Sequence, residues 1–286
     1  MHYPVMLDEA LRALRVRPDG IYLDATAGLG GYTRAIAAKL ETGRVIAADR
    51  DGESLEIAKQ NAAGFGERIC WLQARFSELG EALGRMGAGP LDGVAADLGV
   101  SRYQLTDAGR GFSVQADGPL DMRMDRTEET TAAVLLNTMT ERSLADLIYQ
   151  LGGERRARQI ARAIVRARPL QTTGQLCRVV ESAARRTGRL HPATQTFQAL
   201  RIAVNRELEE LDGLLREAPG WLKPGGRLVV VAFHSLEDRK VKEAFRELGR
   251  SGRAEVLTKH VVKPRDEEIR DNPASRSAKL RALEMR

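Results

Sequence analysis

The first hundred residues alternate short β-rich runs with helical segments, and this alternation constrains the fold more than any other feature. The predicted strands are Ile21–Ala25, Val45–Asp49, Ile69–Gln73 and Gly93–Asp97. The segments between them carry apolar residues at the spacings of amphipathic helices. Strands separated by single helices pair in parallel, so the pattern predicts an α/β fold with a mainly parallel sheet and helices on both faces.

The alternation stops after the fourth strand. Residues 98–120 are rich in Gly, Asp and Arg without periodicity, and residues 130–187 have helical patterns with no strand signal. An insertion of this kind separates two parts of one sheet domain. We therefore predict a discontinuous α/β domain of residues 1–105 and 195–286, interrupted by a loop and helical domain of residues 106–194.

The strand pattern returns near the end of the chain. Thr194–Arg216 has the spacing of one long amphipathic helix. Arg227–Phe233 and Ala254–Lys259 are predicted as a fifth and a sixth strand, and Ala278–Arg286 as a final edge strand. The sheet domain is therefore expected to be completed by the C-terminal residues.

Composition excludes several classes of protein. The 286 residues are 43% hydrophobic, enough for a large core without staples. The two cysteines, Cys70 and Cys177, have no metal-ligand spacing and are interpreted as reduced packing residues. No leader pattern is visible and no apolar run approaches the roughly 20 residues of a membrane span. We expect a soluble, cytoplasmic protein with no metal and no membrane partner; neither an obligate protein partner nor the oligomeric state is indicated.

The net charge of +6 permits a nucleic-acid partner without demonstrating one. The positive residues are concentrated in the predicted insertion, at Arg155, Arg156, Arg158, Arg162, Arg166 and Arg168, followed by Arg185, Arg186 and Arg189. Such a run is either a solvated helical face or a phosphate-binding surface. Charge alone leaves the two interpretations open.

Residues suited to ligand binding follow four successive predicted strands. Asp24 precedes the glycine-rich turn Gly28–Gly31, Asp49 ends the second strand, Phe76 follows the third, and Asp97 ends the fourth. The carboxyl ends of parallel strands meet at one edge of the sheet, where open α/β sheets bind ligands. A lone glycine turn or helix-capping Asp is usually structural, but four such features in register favour a nucleoside-containing cofactor.

The acidic first strand end selects among such cofactors. The turn lacks the GxGxxG spacing of dinucleotide enzymes, and Asp24 would repel a pyrophosphate. S-adenosylmethionine carries a sulfonium and an ammonium group and fits this edge better. Asp49 is suited to accept from both ribose hydroxyls, Phe76 to lie on the adenine, and Asp97 to face the reacting centre.

Longer motifs show a resemblance to a known family. The sequence closely resembles the RsmH (MraW) family of bacterial methyltransferases. The matching stretches are His2–Leu7, Asp24–Tyr32, Asp97–Ser101, Arg110–Ser113, Gly118–Asp125, His191–Thr194, Phe197–Ile202, Phe233–Arg239, Asn272–Pro273 and Ser275–Arg281. Several of these stretches are long and unusual, and they run almost from end to end of the chain.

The resemblance implies a Rossmann-like methyltransferase domain interrupted by a helical domain. It implies methylation of the N4 amine of a cytidine in the decoding region of 16S ribosomal RNA, within the small ribosomal subunit. It also implies a set of cofactor contacts: Gly30, Gly31, Tyr32, Asp49, Phe76, Asp97 and Gln104. Gln104 rests on the resemblance alone.

The sequence departs from the family pattern at two places in this set. Tyr32 stands where the family usually has His, and both side chains are planar hydrogen-bond donors. Arg102-Tyr103-Gln104 replaces the usual Ser-Pro-Gln, which changes the local loop but keeps the Gln. We therefore expect cofactor binding to be retained.

The catalytic residue is a separate question. The loop after the fourth strand lacks the Pro-Pro motif of DNA amino-methyltransferases, so Asp97 or nearby carbonyls are candidates to accept from the target amine. The alternative is that Asp97 contacts only the cofactor. His234 and Arg239 follow the fifth strand and are candidates for substrate contact, and His234 is also compatible with a plain turn. His191 is compatible with a helix cap or a hinge.

Two rival functions remain at this point. A methyltransferase for DNA cytosine or a small amine would leave the helical insertion unexplained. A non-catalytic RNA-binding assembly factor that keeps a cofactor pocket would bind RNA without transferring methyl groups. The intact glycine-rich turn, Asp49 and Asp97 argue against a decayed enzyme.

Overall fold

The computed structural model describes residues 4–184 and 191–286 of the chain. It divides into two compact units, one of Met1–Gly99 with Leu208–Arg286 and one of Val100–Glu207. The second unit begins six residues before the predicted insertion of residues 106–194 and ends thirteen residues after it. Arg185, Arg186 and Arg189 of the predicted basic run lie outside the described residues.

The first unit is built on a seven-stranded sheet. Its strands are β1 (Ile21–Asp24), β2 (Arg44–Asp49), β3 (Ile69–Gln73), β4 (Leu91–Asp97), β5 (Leu222–Ala232), β6 (Ala254–Val256) and β7 (Lys279–Met285). Their order is β3-β2-β1-β4-β5-β7-β6. The first five strands pair in parallel, and β7 is antiparallel to both β5 and β6. The predicted α/β fold with a mainly parallel sheet is therefore confirmed.

The prediction of β7 as an edge strand is wrong. It lies between β5 and β6, and the short strand β6 forms the edge. The burial of β7 on both faces explains this position, because Leu283 packs into one core cluster while Leu280 and Ala282 pack into the other. A strand buried on both faces needs neighbours on both sides to pair its backbone groups.

The helices, in chain order, are α1 (Leu7–Leu14), α2 (Gly31–Ala37), α3 (Gly52–Asn61), α4 (Leu79–Arg85), α5 (Arg102–Thr106), α6 (Ala132–Thr138), α7 (Glu141–Gly152), α8 (Ala157–Ala167), α9 (Thr173–Ala183), α10 (Thr194–Val204), α11 (Glu207–Trp221), α12 (Ser235–Arg250) and α13 (Asp266–Asp271). None of the described helices is long and apolar enough to cross a membrane.

Two apolar cores cover the two faces of the sheet. Neighbouring strand residues alternate between them, so that Tyr22 and Val229 join one core and Leu23 and Val230 the other. This follows from the two-residue period of a strand. Helices α1, α2 and α3 cover the first face, and α4, α11 and α12 cover the second. The carboxyl ends of the parallel strands remain available to position functional groups.

The second unit is helical around a core of its own. Helices α6 to α10 bury apolar residues such as Leu136, Ile148, Ile160 and Leu200. The single helix predicted over Thr194–Arg216 is instead two helices, α10 and α11. Arg206 between them has a left-handed backbone with φ 48°.

A buried asparagine accounts for that break. Asn205 is 2% exposed, and its side chain donates to the Met122 carbonyl and accepts from the Met124 N–H, both at 2.7 Å. These bonds tie the end of α10 to the loop before α6. A helix-breaking residue with satisfied buried polar groups is more stable here than a continuous helix with an unpaired loop backbone.

Candidate active site

The first strand ends in a buried carboxylate. Asp24 is completely buried, and its Oδ2 accepts from the Thr33 hydroxyl at 2.6 Å. Its Oδ1 accepts from the Thr26 N–H at 3.2 Å. Burial raises the pKa of Asp24 from 3.8 to about 6, and these hydrogen bonds oppose the rise. Desolvation therefore destabilises a negative charge on Asp24, and these hydrogen bonds only partly offset that effect.

The second strand end grips the glycine-rich turn. Asp49 Oδ2 accepts from the Gly28 N–H at 2.7 Å, and Oδ1 accepts from the Asp51 N–H at 2.9 Å. Burial also raises the pKa of Asp49 to about 6. Each carboxylate oxygen has a second lone pair, so both remain able to accept from the hydroxyls of a ribose.

The turn itself needs glycine at one position above all. Gly30 has φ 86° and forms the left-handed cap of α2. A side chain is strained in this backbone conformation. The turn therefore brings the first amides of α2, which lack partners within the helix, to the edge of the sheet beside Asp24 and Asp49.

Replacing Gly30 by alanine is expected to lower the free energy of unfolding by about 1–2 kcal/mol because of this backbone conformation. Gly84 in α4 is a matched control, since a Cβ there meets no atom within 4 Å. Gly84→Ala is expected to stabilise the protein by about 0.5–1 kcal/mol. Urea denaturation measures both changes. A Gly30→Ala protein as stable as the parent would contradict the strain at the turn.

The side chain of Tyr32 is directed into the protein. It is 4% exposed, and its hydroxyl donates to the Val5 carbonyl at 2.6 Å. Burial raises the pKa of Tyr32 well above its usual range, and the charge of Asp97 adds to the rise. The side-chain donor is thus used inside the protein, and the main chain of Tyr32, in the first turn of α2, is the part suited to a ligand.

Asp97 has the most unusual environment of the predicted residues. Its N–H donates to the Thr26 hydroxyl at 2.6 Å. Its buried Oδ1 has no hydrogen-bond partner within the described structure. Burial, and then the charges of Asp24, Glu237 and Glu268, raises the pKa of Asp97 well above its ordinary value. A buried, unpartnered acceptor among other carboxylates is suited to a cation or a donor supplied by a ligand.

Phe76 and Gln104 lie in different units. Phe76 is half-buried in a 3-10 turn after β3 and packs against the core on one sheet face. Gln104 is 3% exposed in α5 of the second unit. Its side chain accepts from the Ser101 N–H at 2.9 Å, and its own N–H donates to the Ser101 hydroxyl at 3.2 Å. Its contact with a cofactor stays a prediction.

The two histidines of interest have capping roles. His234 precedes α12, where Glu237 Oε2 accepts from the Phe233 N–H at 2.9 Å and the Glu237 N–H points to His234 Nδ1 at 3.5 Å. His191 Nδ1 accepts from the Ala193 N–H at 3.1 Å just before α10. Contact between His234 and a substrate stays a prediction.

Sequence reasoning missed two acidic residues near Asp97. Glu237 could have been found from the cap pattern of His234 with Glu three residues later. Glu268 lies in the six-residue helix α13, and nothing in its local sequence signals a site. It reaches this edge of the sheet only through the folded C-terminal segment.

The raised pKa values predict a pH dependence with a definite sign. Between 3.8 and about 6, the folded protein binds more protons at Asp24 and Asp49 than the unfolded chain does. The stability of the empty protein therefore falls as pH rises through this window. A cationic ligand binds better to the ionised carboxylates, so the affinity for such a ligand rises as pH rises through this window.

We accordingly expect the Kd for S-adenosylmethionine to fall by about tenfold between pH 5 and pH 7, as one carboxylate ionises. Calorimetric titrations at several pH values measure this change. Asp92→Asn is the matched control and should keep the slope, since Asp92 lies at the opposite end of β4. A Kd that is constant or rises over this range would contradict the electrostatic account.

Comparisons with known proteins agree with this geometry. A putative rRNA-methylase from Clostridium thermocellum has the same fold, with a TM-score of 0.50 and 12% identity over 100% of both chains. This likeness shows the fold alone. The enzyme class and the cofactor follow from the family to which the chain belongs, that of S-adenosylmethionine-dependent methyltransferases, and both predictions are confirmed.

The family follows from sequence. The model of the MraW methylase family matches residues 1–286, and the chain belongs to this family. Ribosomal RNA small subunit methyltransferase H of Solibacter usitatus is 62% identical over 286 residues, covering 100% of each chain. Its namesake in Acidobacterium capsulatum is 52% identical, covering 99% of this chain and 98% of the relative. The resemblance seen in the sequence is thus confirmed.

Proposed function

We propose that this chain transfers the methyl group of S-adenosylmethionine to the N4 amine of a cytidine in the decoding region of 16S ribosomal RNA. The relatives' names specify ribosomal RNA of the small subunit. The observation that carries the chemistry is the buried, unpartnered Oδ1 of Asp97 at the end of β4. The cytoplasm, where small subunits are assembled, is the proposed location.

The residues at the sheet edge fit the cofactor. Asp24 accepts from the uncharged donors of Thr26 and Thr33, and Asp97 Oδ1 has no hydrogen-bond partner among the described residues, so both can ionise toward a cationic ligand. Asp49 has lone pairs left for ribose hydroxyls. When bound, S-adenosylmethionine supplies an electrophilic methyl group. The proposed cofactor contacts are Gly30, Gly31, Tyr32, Asp49, Phe76, Asp97 and Gln104.

The cytosine amine is a poor nucleophile because its lone pair is delocalised into the ring. We assign Asp97 the role of accepting a hydrogen bond from an amine N–H, which returns electron density to nitrogen. Formation of the N–CH₃ bond with cleavage of the C–S bond would leave the amine nitrogen positively charged, and the amine would then lose a proton. We assign Asp97 to accept that proton, and the raised pKa of Asp97 supports this role.

The second unit is the proposed RNA-binding part. Arg155, Arg158 and Arg166 are exposed on and before α8, whereas Arg168 donates to the carbonyls of Leu136 and Met139 and is structural. Exposed arginines bind phosphates. A target base must also leave its stack to reach a methyl donor.

The substrate class is tested by offering small ribosomal subunits without the modification, naked 16S RNA and duplex DNA in parallel, with radiolabelled S-adenosylmethionine. We expect label in ribosomal RNA and none in DNA. The Gly84→Ala protein should label RNA as the parent does. Label in DNA alone, or RNA binding without any label, would overturn the proposal in favour of a DNA methyltransferase or an assembly factor.

A further inference from the structure

The N-terminal segment Pro4–Met6 is fixed to the glycine-rich turn. A Cβ on Gly31 would lie 2.4 Å from Pro4 Cγ, so glycine is required where Pro4 covers the first residue of α2. The Val5 carbonyl accepts from the Tyr32 hydroxyl at 2.6 Å. Val5 and Met6 are 6% and 0% exposed. The segment is therefore a buried wall of the cofactor turn.

A carboxylate from the C-terminal part of the chain also binds the segment Pro4–Met6. Glu268 Oε1 accepts from the Met6 N–H at 2.6 Å. Met6 has a left-handed backbone with φ 51° and forms the cap of α1. Such a conformation is strained in a residue other than glycine and persists only where its surroundings hold it. Glu268 is the side chain that holds the Met6 N–H.

Glu268 is half-buried and makes no ion pair within residues 4–184 and 191–286. The nearby Arg265 is directed elsewhere, to Glu9 at 3.2 Å. The charge of Glu268 is felt at the site, where it contributes to the raised pKa of both Asp97 and Tyr32. Glu268 therefore adds negative charge near the strand ends that carry Asp24 and Asp97.

We propose that Glu268 is a positioning residue for methyl transfer, which holds Met6 so that the N-terminal segment covers the glycine-rich turn, and whose charge favours the sulfonium of the cofactor over the neutral thioether of the product. The two effects are separable, because the first needs an acceptor and the second needs a charge. The inference requires only the methyltransferase class and is independent of the RNA substrate.

Glu268→Gln separates the two effects, since the amide oxygen can still accept from Met6. We expect this variant to bind S-adenosylmethionine about tenfold more weakly, because one nearby charge is lost. Binding of S-adenosylhomocysteine should change by less than about twofold, since it carries no sulfonium. Calorimetric titration of both ligands gives the ratio of affinities, and thermal unfolding checks that the fold is kept.

Glu268→Asp makes the opposite change, keeping the charge on a shorter side chain. We expect Glu268→Asp to weaken the binding of both ligands by the same factor, so that the ratio of the two affinities is preserved. Glu267→Gln is the matched control, because Glu267 is an exposed neighbour in α13, and it should change neither affinity. The proposal is overturned if Glu268→Gln leaves the cofactor affinity unchanged, or if it weakens both ligands by the same factor. If Glu268→Gln does not fold, loss of the affinity ratio in Glu268→Asp would equally overturn it.

Discussion

Asp97→Asn is expected to lower the rate of methyl transfer at saturating cofactor by about 10²- to 10⁴-fold, the range for loss of a positioned proton acceptor. Asparagine keeps the size of the side chain and one carbonyl oxygen. It loses the charge and the capacity to take a proton from the amine. The buried, unpartnered Oδ1 is the atom on which this expectation depends.

Single-turnover rates measured with saturating S-adenosylmethionine separate this effect from cofactor binding. Asp92→Asn is the matched control in the same strand. Asp92 pairs with Arg17 and with Lys223, the latter at 2.6 Å, at the end of β4 away from the site. The Asp92→Asn protein should be less stable than the parent and should transfer methyl groups at the rate of the parent. An Asp97→Asn enzyme that binds cofactor normally and transfers methyl groups at full rate would rule out Asp97 as the proton acceptor.

Asp49→Ala is expected to raise the Kd for S-adenosylmethionine by about 100-fold or more, since hydrogen bonds to a charged group contribute roughly 1.5–3 kcal/mol each. The substitution removes the proposed acceptor for the ribose hydroxyls. It also leaves the Gly28 and Asp51 N–H groups without their acceptor, which loosens the glycine-rich turn.

A cofactor analogue without the ribose hydroxyls distinguishes these two contributions. The parent protein should bind the analogue weakly. Asp49→Ala should lower the affinity for the analogue further only to the extent that the glycine-rich turn becomes less ordered. The coupling between the two changes then measures the contact between Asp49 and the ribose. Independent, additive losses would contradict that contact while leaving the structural role of Asp49 intact.

The residues at the strand ends could be predicted because they depend on local patterns. Buried strands that end in Asp24, Asp49 and Asp97 are visible as apolar runs, and the parallel order follows from the intervening helices. The choice of a cationic cofactor required only the sign of the charge at Asp24. Elementary chemistry at a few positions was sufficient for these conclusions.

The remaining features depend on contacts between distant parts of the chain. The inner position of β7 is determined by burial on both faces, which an apolar run alone does not reveal. The break between α10 and α11 depends on bonds from Asn205 to a loop some eighty residues earlier. The Tyr32 hydroxyl donates to the Val5 carbonyl, 27 residues away in the sequence. Glu268 likewise acts across nearly the whole sequence.

The proposed transfer of a methyl group to a cytidine amine in ribosomal RNA is tested most directly by methylating unmodified small subunits, digesting their RNA to nucleosides and identifying the product by mass spectrometry. We expect N4-methylcytidine at one site, present with the parent protein and with Asp92→Asn, and strongly reduced with Asp49→Ala. Methyl groups on another atom or base, or N4-methylcytidine formed equally well by Asp49→Ala, would contradict it.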